Sequence, residues 1–128
     1  MNGRDAYGIG GTRSVAEAVD EVGTNHDRLT ELTGRRPRWF RPGTAHYDDV
    51  AAQIVRDVGE QPTGFAVNGD FGATASPSTV TSALVGTPPG GIVLAHMNQP
   101  GSGTAAGLEA ALPTLRAQGR RFVRLSDA

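Results

Sequence analysis

Apolar residues recur at helical spacing through Val15, Ala18, Val19, Val22, Leu29 and Leu32, and the run stops at Gly34. Ser14 stands where an N-cap belongs, with Glu17 in capping-box position behind it. The Gly23-Thr24-Asn25 stretch weakens the middle of this helix, so a kink or a split is expected there. Trp39-Phe40-Arg41, after Pro37, reads as a short buried strand closed by Pro42-Gly43. A second helix carries Val50, Ala51, Ile54, Val55 and Val58 on one face, with Gly59 as its stop. Gly64-Phe65-Ala66-Val67 reads as the next strand and runs into the loop Asn68-Gly69-Asp70. Ser76-Pro77 opens a third helix as N-cap and first helical residue, followed by Val80, Ala83 and Leu84. Ile92-Val93-Leu94-Ala95 is a continuous apolar strand ending at His96. Leu108, Ala111, Leu112 and Leu115 form a last helix that ends at Gly119, and Phe122-Val123-Arg124-Leu125 is expected as a closing strand.

Strands alternating with helices imply an α/β fold with a parallel sheet covered by helices. The apolar run 92–95 agrees, because parallel strands are buried on both faces. The first 13 residues hold Gly3, Gly8, Gly10 and Gly11 without any period and read as a loop or loosely ordered N-terminal segment. Residues 14–128 read as the folded part.

At 128 residues and 38% hydrophobic, the chain suffices for one core, and its apolar content excludes a disordered chain. No apolar run is long enough to span a membrane. Twelve basic residues, all Arg, balance thirteen acidic ones, so no global field gathers nucleic acid or anionic lipid. Arg35, Arg36 and Arg38 are too few to change that. The absence of Cys excludes disulfides, thiolate metal sites and a Cys nucleophile. Gly8-Ile9-Gly10-Gly11 follows no expected strand and lacks the Lys-Ser/Thr of a phosphate loop. No signal peptide is visible at Met1-Asn2-Gly3-Arg4-Asp5, which reads as cytoplasmic if the chain is complete.

In parallel α/β folds, chemistry sits where strands hand over to loops. Arg41, Asp70 and His96 hold such positions, and on one rim they would form a hydrogen-bonded acid/base set. The alternative is that each merely caps a loop. His46 beside Asp48 and Asp49 is a candidate ligand, although acidic residues at a helix start more often serve as caps. His26 reads as an exposed helix residue, and Trp39 as pointing into the core. Ser102 and Ser126 lack the neighbours that would make either a nucleophile.

Thr33-Gly34-Arg35-Arg36-Pro37-Arg38-Trp39-Phe40-Arg41-Pro42 resembles the third motif of the polysaccharide deacetylases, the NodB-homology family, together with its approach. Ile92-Val93-Leu94-Ala95-His96 resembles the Leu-x-His strand end of the fifth motif. Asn68-Gly69-Asp70-Phe71 stands where the fourth motif's Asp-Trp is expected, with Phe71 as the aromatic, and 119–125 is similar to the closing segment. The resemblance runs from about residue 14 to the C-terminus and implies a metal-dependent hydrolase of N-acetylated sugars on a distorted (β/α) barrel. It implies that His96 is the general acid, Arg41 orients the catalytic base and Asp70 tunes the network. Leu94 would line the acetyl pocket, with Thr44, Trp39 and Phe71 as further substrate-binding residues. The loop after Pro42 would offer a backbone N–H to the oxyanion, with Gly43-Thr44-Ala45 in place of the family's Pro-Tyr-Gly.

Two family motifs are absent from this sequence, the Asp-Asp segment of the base and the His-x-x-x-His of the metal ligands. A hydrolytic metal needs about three protein ligands and an open position. The chain therefore resembles the C-terminal portion of a deacetylase, a partial (β/α) barrel of about four parallel strands with outer helices. No cofactor is expected in this chain, although the family uses a divalent metal such as zinc. The isolated chain is expected to be inactive, with an N-acetylated polysaccharide as partner once completed, and neither nucleic acid nor membrane. A cut barrel exposes strand edges, so a homo-oligomer or association with a missing N-terminal half is expected. The alternative is a non-catalytic glycan-binding or oligomeric interaction protein derived from the same fold. The family usually works outside the cytoplasm.

Overall fold

The computed structural model describes residues 14–43 and 45–127. The N-terminal segment 1–13 and Thr44 lie outside the described residues, and the expectations placed on them are not addressed by the structure. The chain divides into two compact units, Met1–Gly64 and Phe65–Ala128.

In the first unit, helix α1 runs from Val15 to Thr33 and α2 from Asp49 to Asp57. Ser14 accepts the Glu17 N–H at 3.2 Å, and Gly34 closes α1 with a left-handed φ of 69°. The helix continues through Gly23-Thr24-Asn25 without the expected break. A mid-helix Gly costs about 1 kcal/mol, and the burial of Ala18, Val22 and His26 on either side offsets it. Strands β1 (Trp39–Phe40) and β2 (Gln61–Pro62) pair in parallel, with Trp39 opposite Gln61 and Phe40 opposite Pro62. Alternation along β1 puts Phe40 into the core and leaves Trp39 half-buried, which corrects the inward placement of Trp39. Ala18, Val22, Phe40, Ala51, Ile54 and Val55 form this unit's core, with Tyr47 and Val58 packed against it.

His26 was expected at the surface and is instead buried, with Nδ1 2.8 Å from Glu60 Oε1. Its spacing from Ala18 and Val22 puts it on the buried stripe of α1, and the Glu60 carboxylate makes a polar ring tolerable there.

In the second unit, β3 (Val67–Asn68) and β4 (Val93–Leu94) pair in parallel, Val67 against Val93 and Asn68 against Leu94. Helices α3 (Pro77–Val85) and α4 (Thr104–Ala117) pack through Val80, Leu84, Ala111 and Leu115, flanked by Val93 and Leu108. Ser76 caps α3 by accepting the Thr79 N–H at 3.2 Å, with Pro77 as first helical residue. The expected strand at 122–125 is not formed. Residues 120–124 are irregular, Leu125–Asp127 is a 3-10 turn, and Phe122 and Val123 are 65% and 56% exposed. An apolar segment becomes a strand only against a partner, and none of the described strands pairs with this one.

Among the described residues, the chain is a small α/β arrangement of four helices and short parallel strand pairs. Three of the four expected strands are shorter or shifted, one is absent, and Gln61–Pro62 pairs where none is expected.

Candidate functional site

Asp70 and His96 meet at the C-terminal ends of β3 and β4, as parallel α/β strands deliver polar groups. Gly69 makes the approach possible: its N–H donates to the Leu94 carbonyl at 2.8 Å, and a Cβ there would lie 2.8 Å from Val93 Cγ1. Asp70 follows with no solvent exposure. Its Oδ1 accepts from His96 Nδ1 at 2.8 Å, and its Oδ2 accepts the His96 backbone N–H at 2.6 Å and the Thr104 hydroxyl at 2.9 Å.

The loop after Asp70 wraps back on it. Phe71, Gly72 and Ala73 all take left-handed backbone conformations, φ 52°, 73° and 64°. Two of these are non-glycine, a run that costs about 1–2 kcal/mol per residue, and local bonds hold it. Asn68 Oδ1 accepts the Phe71 N–H at 2.9 Å, and the Asp70 carbonyl accepts the N–H groups of Thr74 and Ala75, each at 3.1 Å. The curl also aims the Ala73 N–H at the Asp70 carboxylate.

Burial alone would push the Asp70 carboxyl up. The His96 ring and backbone N–H, the Thr104 hydroxyl and the Ala73 N–H outweigh it and bring the group down to about 2. The carboxylate is therefore ionised at neutral pH and can only accept hydrogen bonds. His96 Nδ1 must then be the donor, which makes Nε2 the nitrogen that carries the lone pair whenever the ring is unprotonated. The His96 side chain is 36% exposed. The arrangement can accept a proton at Nε2 and return it, with Asp70 holding the ring and its charge.

Of the other expected site residues, Leu94 is half-buried on β4 and Phe71 is 56% exposed on the left-handed turn. Arg41 and Trp39 belong to the first unit, where the exposed Arg41 guanidinium donates to the Pro42 carbonyl at 2.7 Å. His46 is exposed, and Asp48 caps α2 by accepting the Ala51 N–H at 3.0 Å, the role that acidic residues at a helix start more often take. Thr104 was not anticipated. The only hint in the sequence is its position just after Gly101-Ser102-Gly103 at the start of a helix.

Among the described residues no group of three or more His, Asp or Glu side chains is placed to hold a metal ion. The donor set does not fit a hydrolytic metal, whose site needs about three protein ligands. Also among the described residues, no helix is long and apolar enough to cross a membrane.

No family model and no curated protein matches this sequence. Solved structures do. The Bc1960 peptidoglycan N-acetylglucosamine deacetylase superposes with a TM-score of 0.82 at 21% identity, covering 91% of this chain and 56% of that one. Wild-type BA3943, a CE4 family pseudoenzyme from Bacillus anthracis, gives 0.80 at 24% identity, covering 91% of this chain and 41% of its own. A family 4 carbohydrate esterase from Streptomyces lividans gives 0.76 at 19% identity over 84% of this chain and 55% of its own. The chain thus has the fold of part of the CE4, NodB-type deacetylases. It spans about half the length of the structures it matches.

Proposed function

We propose that the chain is the C-terminal portion of a metal-dependent deacetylase of N-acetylated polysaccharide, carrying the proton-transfer half of the reaction and not the metal half. The observation that supports this most is the buried, ionised Asp70 holding His96 by Nδ1 at the strand ends of a deacetylase-type fold. In the protonated ring, Nδ1–H stays on Asp70 while Nε2–H is given to the departing amine as the amide C–N bond breaks. Asp70 remains a carboxylate throughout and stabilises the imidazolium, as in other His–carboxylate pairs.

Leu94 lies two residues before His96 and is assigned to the acetyl methyl, with Phe71, Trp39 and Thr44 assigned to the sugar. Arg41 is assigned to orienting a base that another part of the complete domain supplies, together with the metal ligands. The isolated chain hydrolyses nothing on this reading, and it associates with that other part or with a second copy of itself.

A second reading is supported by the likeness to a CE4 pseudoenzyme and by the donor set described above, namely a non-catalytic chain that binds N-acetylated glycans or acts as an oligomeric interaction protein. Complementation separates the two. Mixing the chain with a polypeptide bearing the His-x-x-x-His and Asp-Asp segments, plus zinc, is expected to release acetate from an N-acetylglucosamine oligosaccharide, and His96→Ala to abolish it. Glycan binding without turnover, indifferent to chelator, would favour the second reading.

A further inference from the structure

Thr104 is buried, at 6% exposure, as the first residue of α4, and nothing in the proton-transfer chemistry of His96 itself calls for it. Its neighbours fix the direction of every hydrogen bond around it. An ionised Asp70 cannot donate, so the single Thr104 O–H points to Asp70 Oδ2 at 2.9 Å. The Thr104 oxygen then accepts from the Ser102 hydroxyl at 3.0 Å. The result is a directed chain, Ser102 to Thr104 to Asp70, with the His96 ring on the other carboxylate oxygen.

The fold holds this hydroxyl in place through two close helix contacts. A Cβ on Gly103 would lie 2.7 Å from the Pro77 nitrogen, and one on Gly107 2.6 Å from Val80 Cγ1. The first turn of α4 therefore lies directly against the first turn of α3. Thr81 of α3 adds a hydrogen bond to the Gly107 carbonyl at 3.1 Å.

We propose that Thr104 is a positioning residue for His96. Beside the His96 backbone N–H at 2.6 Å, Thr104 is the second donor on Oδ2, and it fixes the carboxylate orientation in which Oδ1 faces His96 Nδ1; without it the ionised carboxylate turns and its hold on the Nδ1–H tautomer weakens. The catalytic value of this tautomer rests on the deacetylase reading above, but the tautomer itself does not.

The test is the side-chain ¹⁵N spectrum of His96 in the 128-residue chain at a pH where the ring is neutral, assigned with His96→Gln. The wild-type ring is expected as the pure Nδ1–H form. Thr104→Val, which keeps the shape and removes the hydroxyl, is expected to move the two nitrogen shifts toward each other as the tautomers mix. Thr104→Ser is expected to restore the wild-type pattern. An unchanged pattern in folded T104V, or a T104S pattern like that of T104V, would overturn the proposal. In the wild-type chain the Thr104 hydroxyl proton is expected to exchange slowly with water. A fast-exchanging hydroxyl overturns the proposal even if T104V fails to fold. Failure of complementation with the tautomer intact would instead count against the deacetylase reading and leave the role of Thr104 standing.

Discussion

Replacing Asp70 with Asn probes the site at its most constrained atom pair. The carboxylate is fully buried and accepts from the His96 ring, the His96 backbone N–H, the Thr104 hydroxyl and the Ala73 N–H. An amide keeps one accepting oxygen and turns an NH₂ toward groups that are themselves donors. Leaving buried donors without an acceptor costs about 1–3 kcal/mol each, so Asp70→Asn is expected to destabilise the second unit by about 3 kcal/mol at neutral pH.

The loss should carry a pH signature. The Asp70 carboxyl lies at about 2 against an ordinary 3.8, and at about 1.4 kcal/mol per unit this represents about 2 kcal/mol of stability. Because the folded value is depressed, that stability is fully present above the ordinary value and is lost as pH falls through the folded one. Urea unfolding of both proteins, followed through the amide resonances of α3 and α4, would measure it between about pH 7 and pH 2. Other carboxylates are common to both proteins and cancel in the difference. The gap between wild type and variant is expected to shrink by about 2 kcal/mol as pH falls from 4 toward 2. A pH-independent gap, or a variant as stable as wild type at pH 7, would refute the account of how Asp70 is held.

Gly107→Ala puts a methyl into Val80 and is expected to cost about 1–3 kcal/mol by overpacking, read as a lower thermal midpoint; an unchanged midpoint would mean that α3 and α4 pack less closely. Removing one member of the buried His26–Glu60 pair, by His26→Ala or Glu60→Ala, is expected to cost about 3 kcal/mol. Replacing both by Leu should cost less than either single change, and a larger loss in the double variant would contradict this. Phe122→Ser is expected to change stability by less than about 0.5 kcal/mol, because Phe122 is 65% exposed and unpaired by any described strand. A larger loss in urea unfolding would restore the expected closing strand.

The four described helices are legible because each carries its own signals: Ser14 and Ser76 as caps, Gly34 and Gly59 as stops, and apolar faces at helical spacing. The strands were harder to read. Each observed strand is two residues long, too short to show any period, so Gln61–Pro62 was missed and 64–67 was placed early. The final apolar run had strand composition, but pairing is a property of a neighbour and not of the segment itself. Arg41, Asp70 and His96 read as one set because all three stand at strand ends, and of these the structure shows the Asp70–His96 contact, while the Arg41 guanidinium donates to the Pro42 carbonyl. Thr104 could not be read this way, since its role depends on α4 lying tight against α3 through Gly103 and Gly107. At His26 helical position outweighs residue type: four residues after Val22, it lies on the buried stripe of α1.

On the proposed reading, this chain holds a proton-transfer pair and does not itself bind the metal. Elemental analysis of the purified 128-residue protein after equilibration with zinc tests it most directly. Only background zinc is expected, unchanged by His96→Ala. One zinc per chain, lost on His46→Ala or His96→Ala, would contradict the claim and make the chain a metal site in its own right.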